Sequence, residues 1–373
     1  MTITDLGRRM KWVTFAALVL GVVACGGDED GLSDDGPEST GGGVYILNEG
    51  GFGQGNASLS FYDAATGALT ESVFTAANGR PLGDTANDIL RSGDQLWIVV
   101  NNSQTIEVVD IASHASVGTV TFDAGASPTT VAIDEAAGKA YVALRFGNAL
   151  ARIDTTSLAQ EAVVEVGAMP QEVVLADGKA YVTNSGFGAG TTVSVVDLAT
   201  FTISSIIEVG TNPTAVVARD GKVVVLASGI TWDSPDTPED DTAPGAIVVI
   251  DTASDTVTNS LPLDSGASDR MELGPDGVAY FLTFGAVAKF DTNTQSVTAD
   301  FITASAHGAG AFYGLSVNPD SGLIYVSDAK DYATSGDVYV FEPNGTFVRQ
   351  FEADLLPRAM AFIGDPGAAD APY

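Results

Sequence analysis

Cysteine is all but missing: Cys25 is the only one among 373 residues, so no disulfide can form within the chain. Histidine is nearly as scarce, with only His114 and His307, which excludes a histidine-rich metal centre. Neither histidine sits in a nucleophile motif. Basic residues number 16 against 48 acids, for a net charge of −32. Such a surface repels nucleic acid and anionic membrane faces, so neither is expected as a partner. A balance this acidic and this poor in lysine also suits a saline habitat. Long apolar runs are lacking as well. The stretch at residues 12–24 is 13 long, short of the about 20 a membrane-spanning helix needs.

That stretch instead reads as an address. Arg8, Arg9 and Lys11 precede it and small residues end it at Val22-Val23-Ala24-Cys25, the layout of an export signal. The ending resembles a bacterial lipobox, which implies cleavage before Cys25 and lipidation of Cys25. Residues 1–24 are therefore expected to be a lipoprotein signal peptide, whose removal takes the net charge to −34. Other readings of the region are a soluble secretory signal with an incidental cysteine, twin-arginine export through Arg8-Arg9, and a start at Met10. Residues 25–43 carry Gly, Asp, Glu, Ser and Pro with almost nothing to bury, and read as an acidic flexible tether. Asp28-Glu29-Asp30, just after the cysteine, resembles the signal that sends lipoproteins to the exterior face of the outer membrane.

What the chain has in plenty is short β-rich runs bounded by its 42 Gly and 15 Pro, together with Asn and Asp, a pattern of strands joined by tight turns. Residues 178–213 show the unit: a run at 180–183, a Gly-rich turn, a run ending in Asp197, an alternating run at 202–209, and a closing Gly-Thr-Asn-Pro. The acid that ends the second run recurs as Asp63, Asp110, Asp154, Asp197, Asp251 and Asp291, with Glu342 as a degenerate seventh. The intervals of 47, 44, 43, 54, 40 and 51 residues match propeller blades, whose repeats run about 40–50 residues. A carboxylate at each strand end points to a repeated turn-capping task rather than to one active site. An innermost run follows each closing turn, at 86–90, 129–133, 172–175, 215–218, 270–273, 314–317 and 359–363. The first blade opens without one, so the run at 359–363 is expected to fill the gap and close the ring. The expectation is all-β: a single seven-bladed β-propeller over residues 44–373, with four-stranded antiparallel blades.

Tyr181-Val182-Thr183-Asn184, then residues 193–197 (VSVVD) and 209–213 (VGTNP), resemble the YVTN-type, YncE-like repeat of bacterial surface propellers. Residues 45–63 and 77–110 are similar to a DUF5074-like family of surface lipoprotein propellers without assigned function. Together these likenesses span nearly all of the mature chain, and they specify a scaffold that hosts many functions.

In a propeller the loops after the second strand (b–c) and between blades (d–a) gather at one mouth. Here they would bring together Phe52, Phe146, Phe187, Trp232, Phe284 and Tyr332 with Asn48, Asn78, Arg80, Asn101, Asn102, Arg145 and His307. Aromatic faces beside a few amide and guanidinium donors suit a flat or amphipathic ligand. Phe52 and Phe187, set among glycines, are the foremost of these; packing of the rings between blades is the alternative. The loop at 228–245 holds Asp233, Asp236, Glu239, Asp240 and Asp241, but it lacks the alternating spacing of a calcium loop and carries three prolines. No catalytic residue, phosphate cradle or cofactor site is expected, nor a metal.

Some lipoproteins of the resemblance group capture corrinoids and pass them to a TonB-dependent transporter. The resemblance implies a vitamin B12-type ligand lying over Phe52, Phe187 and Trp232, its edges held by Asn78, Arg80, Asn101 and Arg145. A structural or adhesive surface propeller without a small ligand is the rival reading, and a metal-dependent hydrolase or lactonase a third.

Overall fold

The computed structural model describes residues 42–229, 244–264 and 266–364. Seven four-stranded antiparallel sheets make up this part of the chain, and each innermost strand touches the next all the way round. The ring is closed as expected. Pro357–Ile363 lies beside Gly43–Asn48, with Val44 opposite Phe362 and Ile46 opposite Met360. The two ends of the propeller thus share one sheet with Ser58–Asp63 and Leu69–Thr70.

Burial along each blade explains its sequence. The second strands Gln95–Val100, Lys139–Leu144, Lys179–Asn184 and Lys222–Ala227 are buried at every position after the first. Neighbouring blades cover both of their faces, so they read as continuous apolar runs rather than as alternating ones. Outermost strands keep one face in water: Thr202–Glu208 alternates exposed and half-buried side chains over most of its length. Between blades the apolar faces interdigitate, as where Trp97, Val99 and Val108 of the second blade meet Val131, Val142 and Leu144 of the third. The seam leaves little slack at the closure, where a Cβ on Gly314 would lie 2.4 Å from the Arg358 carbonyl oxygen.

The recurrent acids do cap turns. Asp63 accepts the amides of Ala65 and Thr66, Asp110 that of Ser113, Asp154 that of Ser157, Asp197 that of Thr200, Asp251 that of Ser254 and Asp291 that of Thr294. All lie at the end of the ring away from the b–c loops.

One element escapes a reading by strand period. The outer strand of the first blade stops after Leu69–Thr70, and Val73–Asn78 forms a short helix that packs on Ser58–Asp63. Phe74 is fully buried in it and takes the place of the missing strand's apolar face. Replacing Phe74 with Ala should cost about 3–5 kcal/mol of unfolding free energy in a denaturant titration, whereas a surface-loop role would leave stability unchanged. A chain ending at Leu356, without the closing strand, should lose the single cooperative thermal transition seen by circular dichroism; retention of the wild-type melt would show that the closing pairing is dispensable.

Candidate functional site

The mouth is built by one device repeated blade after blade. The residue just before the innermost strand is left-handed in five blades: Thr85 (φ 59°), Ser127 (φ 56°), Met169 (φ 46°), Asn212 (φ 53°) and Leu356 (φ 58°). The carbonyl of each accepts the first amide of a b–c loop, from Asn101, Arg145, Ser185, Ser228 and Glu49 at 2.8–3.2 Å. A second amide, from Asn102, Phe146, Gly186, Gly229 and Gly50, bonds the carbonyl one residue earlier. Each non-glycine left-handed residue costs of order 1 kcal/mol, which the paired bonds offset. The loops are therefore pinned to the inner wall.

Phe52, Phe146 and Phe187 stand on loops pinned in this way and Phe284 and Tyr332 on the b–c loops of the sixth and seventh blades, all five 55–76% exposed. The other exposed large apolar side chains among the described residues, such as Val117, Val163 and Ile206, are spread over outermost strands. Phe52 is presented by a loop tied through Gly53 N to Asp84 Oδ1 at 3.0 Å and through Gly51 N to Asn56 Oδ1 at 2.9 Å. Phe187 sits at φ 55° in the short turn Gly186–Gly188. That turn closes on Gly190, where a Cβ would come within 2.0 Å of the Asn184 carbonyl oxygen.

Below the rim the channel narrows into a small polar throat, open in part to solvent. Its wall is made by the opening residues of the innermost strands, including Asn87, Thr129, Gln171, Glu172, Asp269, Arg270 and Arg358. Arg358 binds Asp269, stacks 4.9 Å from the centre of the Tyr313 ring and lies 3.8 Å from Glu49; Tyr313 in turn donates its hydroxyl to Glu49. Burial alone would raise the Asp269 carboxyl, but Arg358, Arg270 and Arg145 outweigh it and hold it well below the usual carboxylate range. Arg270 reaches from the sixth blade to the second, donating Nη2 to the Asn87 carbonyl at 2.6 Å. Around it lie three carboxyls that burial pushes upward against its charge: Asp88, Glu172, and Glu272, which is raised to about 7. Asp88 and Glu172 each also accept the amide of a neighbouring innermost strand, from Val131 and Val216. They tie blades together, and Glu172 also lines the throat.

Of the residues singled out in the sequence, the structure brings Phe52, Phe187, Asn101 and Arg145 to the mouth. Both Asn101 amide hydrogens are already spent, on Ser127 Oγ and the Pro128 carbonyl. Arg145 donates Nη2 to Gln171 Oε1 at 2.6 Å. Asn78 and Arg80 lie elsewhere, on the outer flank between the first two blades. The helix Val73–Asn78 carries the chain there, so Asn78 bonds the His114 carbonyl and the Ser116 amide while Arg80 pairs with buried Glu107 at 2.8 Å. His307 packs against Phe341 and Phe347 on another flank. Trp232, the acids of its loop and Cys25 lie outside the described residues. Among the described residues no group of three or more His, Cys, Asp or Glu is placed to hold a metal ion. Sequence reading missed Arg270, Arg358, Asp269, Glu172 and Tyr313. The available signal was charge at the opening of innermost strands, where neither face meets bulk water.

Fold and mouth together define a seven-bladed propeller with a pinned aromatic rim over a charged throat. Over residues 42–354 the chain matches, and belongs to, the family described as a domain of unknown function (DUF5074). No curated protein matches it. Among solved structures it is similar to a quinoprotein alcohol dehydrogenase-like protein of Bacteroides thetaiotaomicron, at 17% identity and a TM-score of 0.64 over 87% of this chain and 78% of that one. A provisionally assigned 6-phosphogluconolactonase of Bacteroides fragilis aligns at 11% identity and 0.61 over 88% and 100%. The hydrazine synthase of Kuenenia stuttgartiensis aligns at 16% and 0.59 over 73% and 87%. At such identities the likeness shows the fold alone.

Glu272 makes the throat sensitive to pH. Its folded pKa of about 7 exceeds the ordinary value of about 4.3, so its protonated form stabilises the fold fully below the ordinary value, and that contribution is lost as pH rises through the folded one. Between about pH 5 and pH 8 the wild-type melting temperature should therefore fall further than that of Glu272→Gln, whose amide cannot ionise. Equal falls in the two chains would remove Glu272 from this role.

Proposed function

We propose that this protein is an outer-surface lipoprotein, anchored through Cys25, that binds a flat or amphipathic ligand at the mouth of its propeller and delivers it to a TonB-dependent transporter. The observation that carries the ligand-binding reading is the rim itself: five aromatic side chains from five blades, 55–76% exposed, three of them (Phe52, Phe146 and Phe187) on loops fixed to the inner wall. Exposed aromatics scattered singly need no explanation, but a contiguous set at the mouth of a channel is the usual form of a ligand site. Burying one such ring is worth about 1.5–3 kcal/mol, so three or four engaged together supply about 5–12 kcal/mol against association costs of about 4 kcal/mol or more, enough for affinity up to about micromolar. The finer form of the proposal is a corrinoid, whose broad ring would lie across Phe52, Phe146 and Phe187 with Arg145 at its polar edge.

Calorimetry on the exported form tests it. Cyanocobalamin should give saturable heat at micromolar protein, and Phe52→Ala combined with Phe187→Ala should weaken it by on the order of a hundredfold. Absence of heat with the wild type would dispose of the corrinoid.

A further inference from the structure

Eight arginines lie among the described residues of this strongly acidic chain; Arg270 and Arg358, of the sixth and first blades, line the throat, and Arg145 of the third bonds Gln171 of its wall. Each has a buried Nε–H with no hydrogen-bond acceptor among the described residues, though Glu49 Oε2 stands 3.8 Å from that of Arg358. Arg270 is 8% exposed, so its orphaned donor is well inside the protein. A buried donor without an acceptor is destabilising, and three around one cavity are not scattered packing faults. The hydroxyls of Thr129, Thr130 and Thr214 on the same wall already donate to the Ala143, Gln171 and Ser268 carbonyls. Of the wall's carboxyls, Asp269 is committed to Arg358, while Glu172 accepts the Val216 amide and is pushed upward by burial. The open donors at the wall are therefore the guanidinium Nε–H groups.

We propose that the throat binds an oxyanion, a carboxylate or phosphate group, on Arg145, Arg270 and Arg358, and that this group belongs to the ligand whose body lies on the aromatic rim. For the ligand's body the inference rests on the reading of the mouth given above. Rim and throat are joined through the chain: Phe146 follows Arg145, Phe52 lies three residues after Glu49, and Tyr332 sets its edge against Tyr313 with ring centroids 5.7 Å apart. The overall negative charge does not forbid an anion here, because salt screens surface charges beyond about 8–10 Å while the guanidiniums act at contact.

The test uses the full exported chain in buffer of about 0.1 M ionic strength, titrated calorimetrically with inorganic phosphate, benzoate and benzyl alcohol, the last a neutral analogue of similar shape. Saturable binding of phosphate or benzoate is expected, with benzoate at least tenfold tighter than benzyl alcohol if the group is a carboxylate. Arg270→Gln should weaken the bound anion at least tenfold. Arg145→Gln, nearer the rim, should do the same and decides the matter if Arg270→Gln does not fold. Phe52→Ala with Phe187→Ala should leave phosphate binding within about twofold of wild type. No saturable binding of either anion, or equal affinity in Arg145→Gln, would overturn the proposal and leave water as the occupant. Phosphate binding by a chain that gives no heat with cyanocobalamin would keep the throat and dismiss the corrinoid. Cyanocobalamin heat with no anion binding would do the reverse.

Discussion

Five of the seven turns into the channel depend on one residue held left-handed. Thr85, Ser127, Met169, Asn212 and Leu356 occupy the same place in five blades, and each trades an unfavourable backbone conformation for a carbonyl aimed at the next loop. Two consequences follow from that bond. The innermost strand begins at a fixed point on the wall, so its first side chains face the channel rather than a neighbouring blade. The b–c loop also cannot lie down over the channel, because its first two amides are tied to that wall. The rim stands open because the strain below it is satisfied there.

The throat shows the complementary choice. A propeller could fill its axis with small apolar side chains, and the seams between these blades are packed in that manner, as Trp97 against the third blade illustrates. At the axis the chain instead places Arg270 among Asp88, Glu172 and Glu272, and Arg358 against Asp269 and Glu49. Buried ion pairs seldom add net stability over a well-packed apolar core. Part of their role is structural, since Asp88 and Glu172 each hold the amide of an adjacent innermost strand. The guanidinium Nε–H groups make no hydrogen bond among the described residues, so hydrogen bonding within the fold does not account for them.

How much of this was legible depended on whether a feature repeats. The acid ending each third strand recurs at intervals of one blade and so counted the blades, while the innermost run missing from the first blade foresaw Pro357–Ile363 beside Gly43–Asn48. Phe52 and Phe187 were legible too, because glycines on either side cannot bury an aromatic ring in the sequence. Asn78 and Arg80 were assigned to a mouth loop because the outer strand of the first blade was taken to be complete. Its early stop and the helix Val73–Asn78 are particular to that blade, and no repeat announces them. The throat was hidden for the opposite reason: Arg270 and Arg358 sit inside runs correctly read as strands. Strand periodicity says which side of a sheet a residue faces, not what lies across a channel two blades away.

Two rim residues carry the synthesis one step further. Phe187 and Tyr332 are themselves left-handed, at φ 55° and 60°. Glycine or asparagine serves such positions at lower cost, and a small polar side chain would suit a site more than half open to water. An aromatic there is unfavourable twice over, in backbone conformation and in exposed apolar surface. Strain of this kind points toward function when the outlier is observed first, and here two outliers fall on the same rim, in the fourth and seventh blades. Tyr332 also touches Tyr313, which bonds Glu49 beside Arg358, so the strained rim and the charged throat form one connected surface. A scaffold selected only to be stable would spend neither the strain nor the exposure at the mouth of its channel; a surface selected to hold a ligand's flat body above its charged end has use for both.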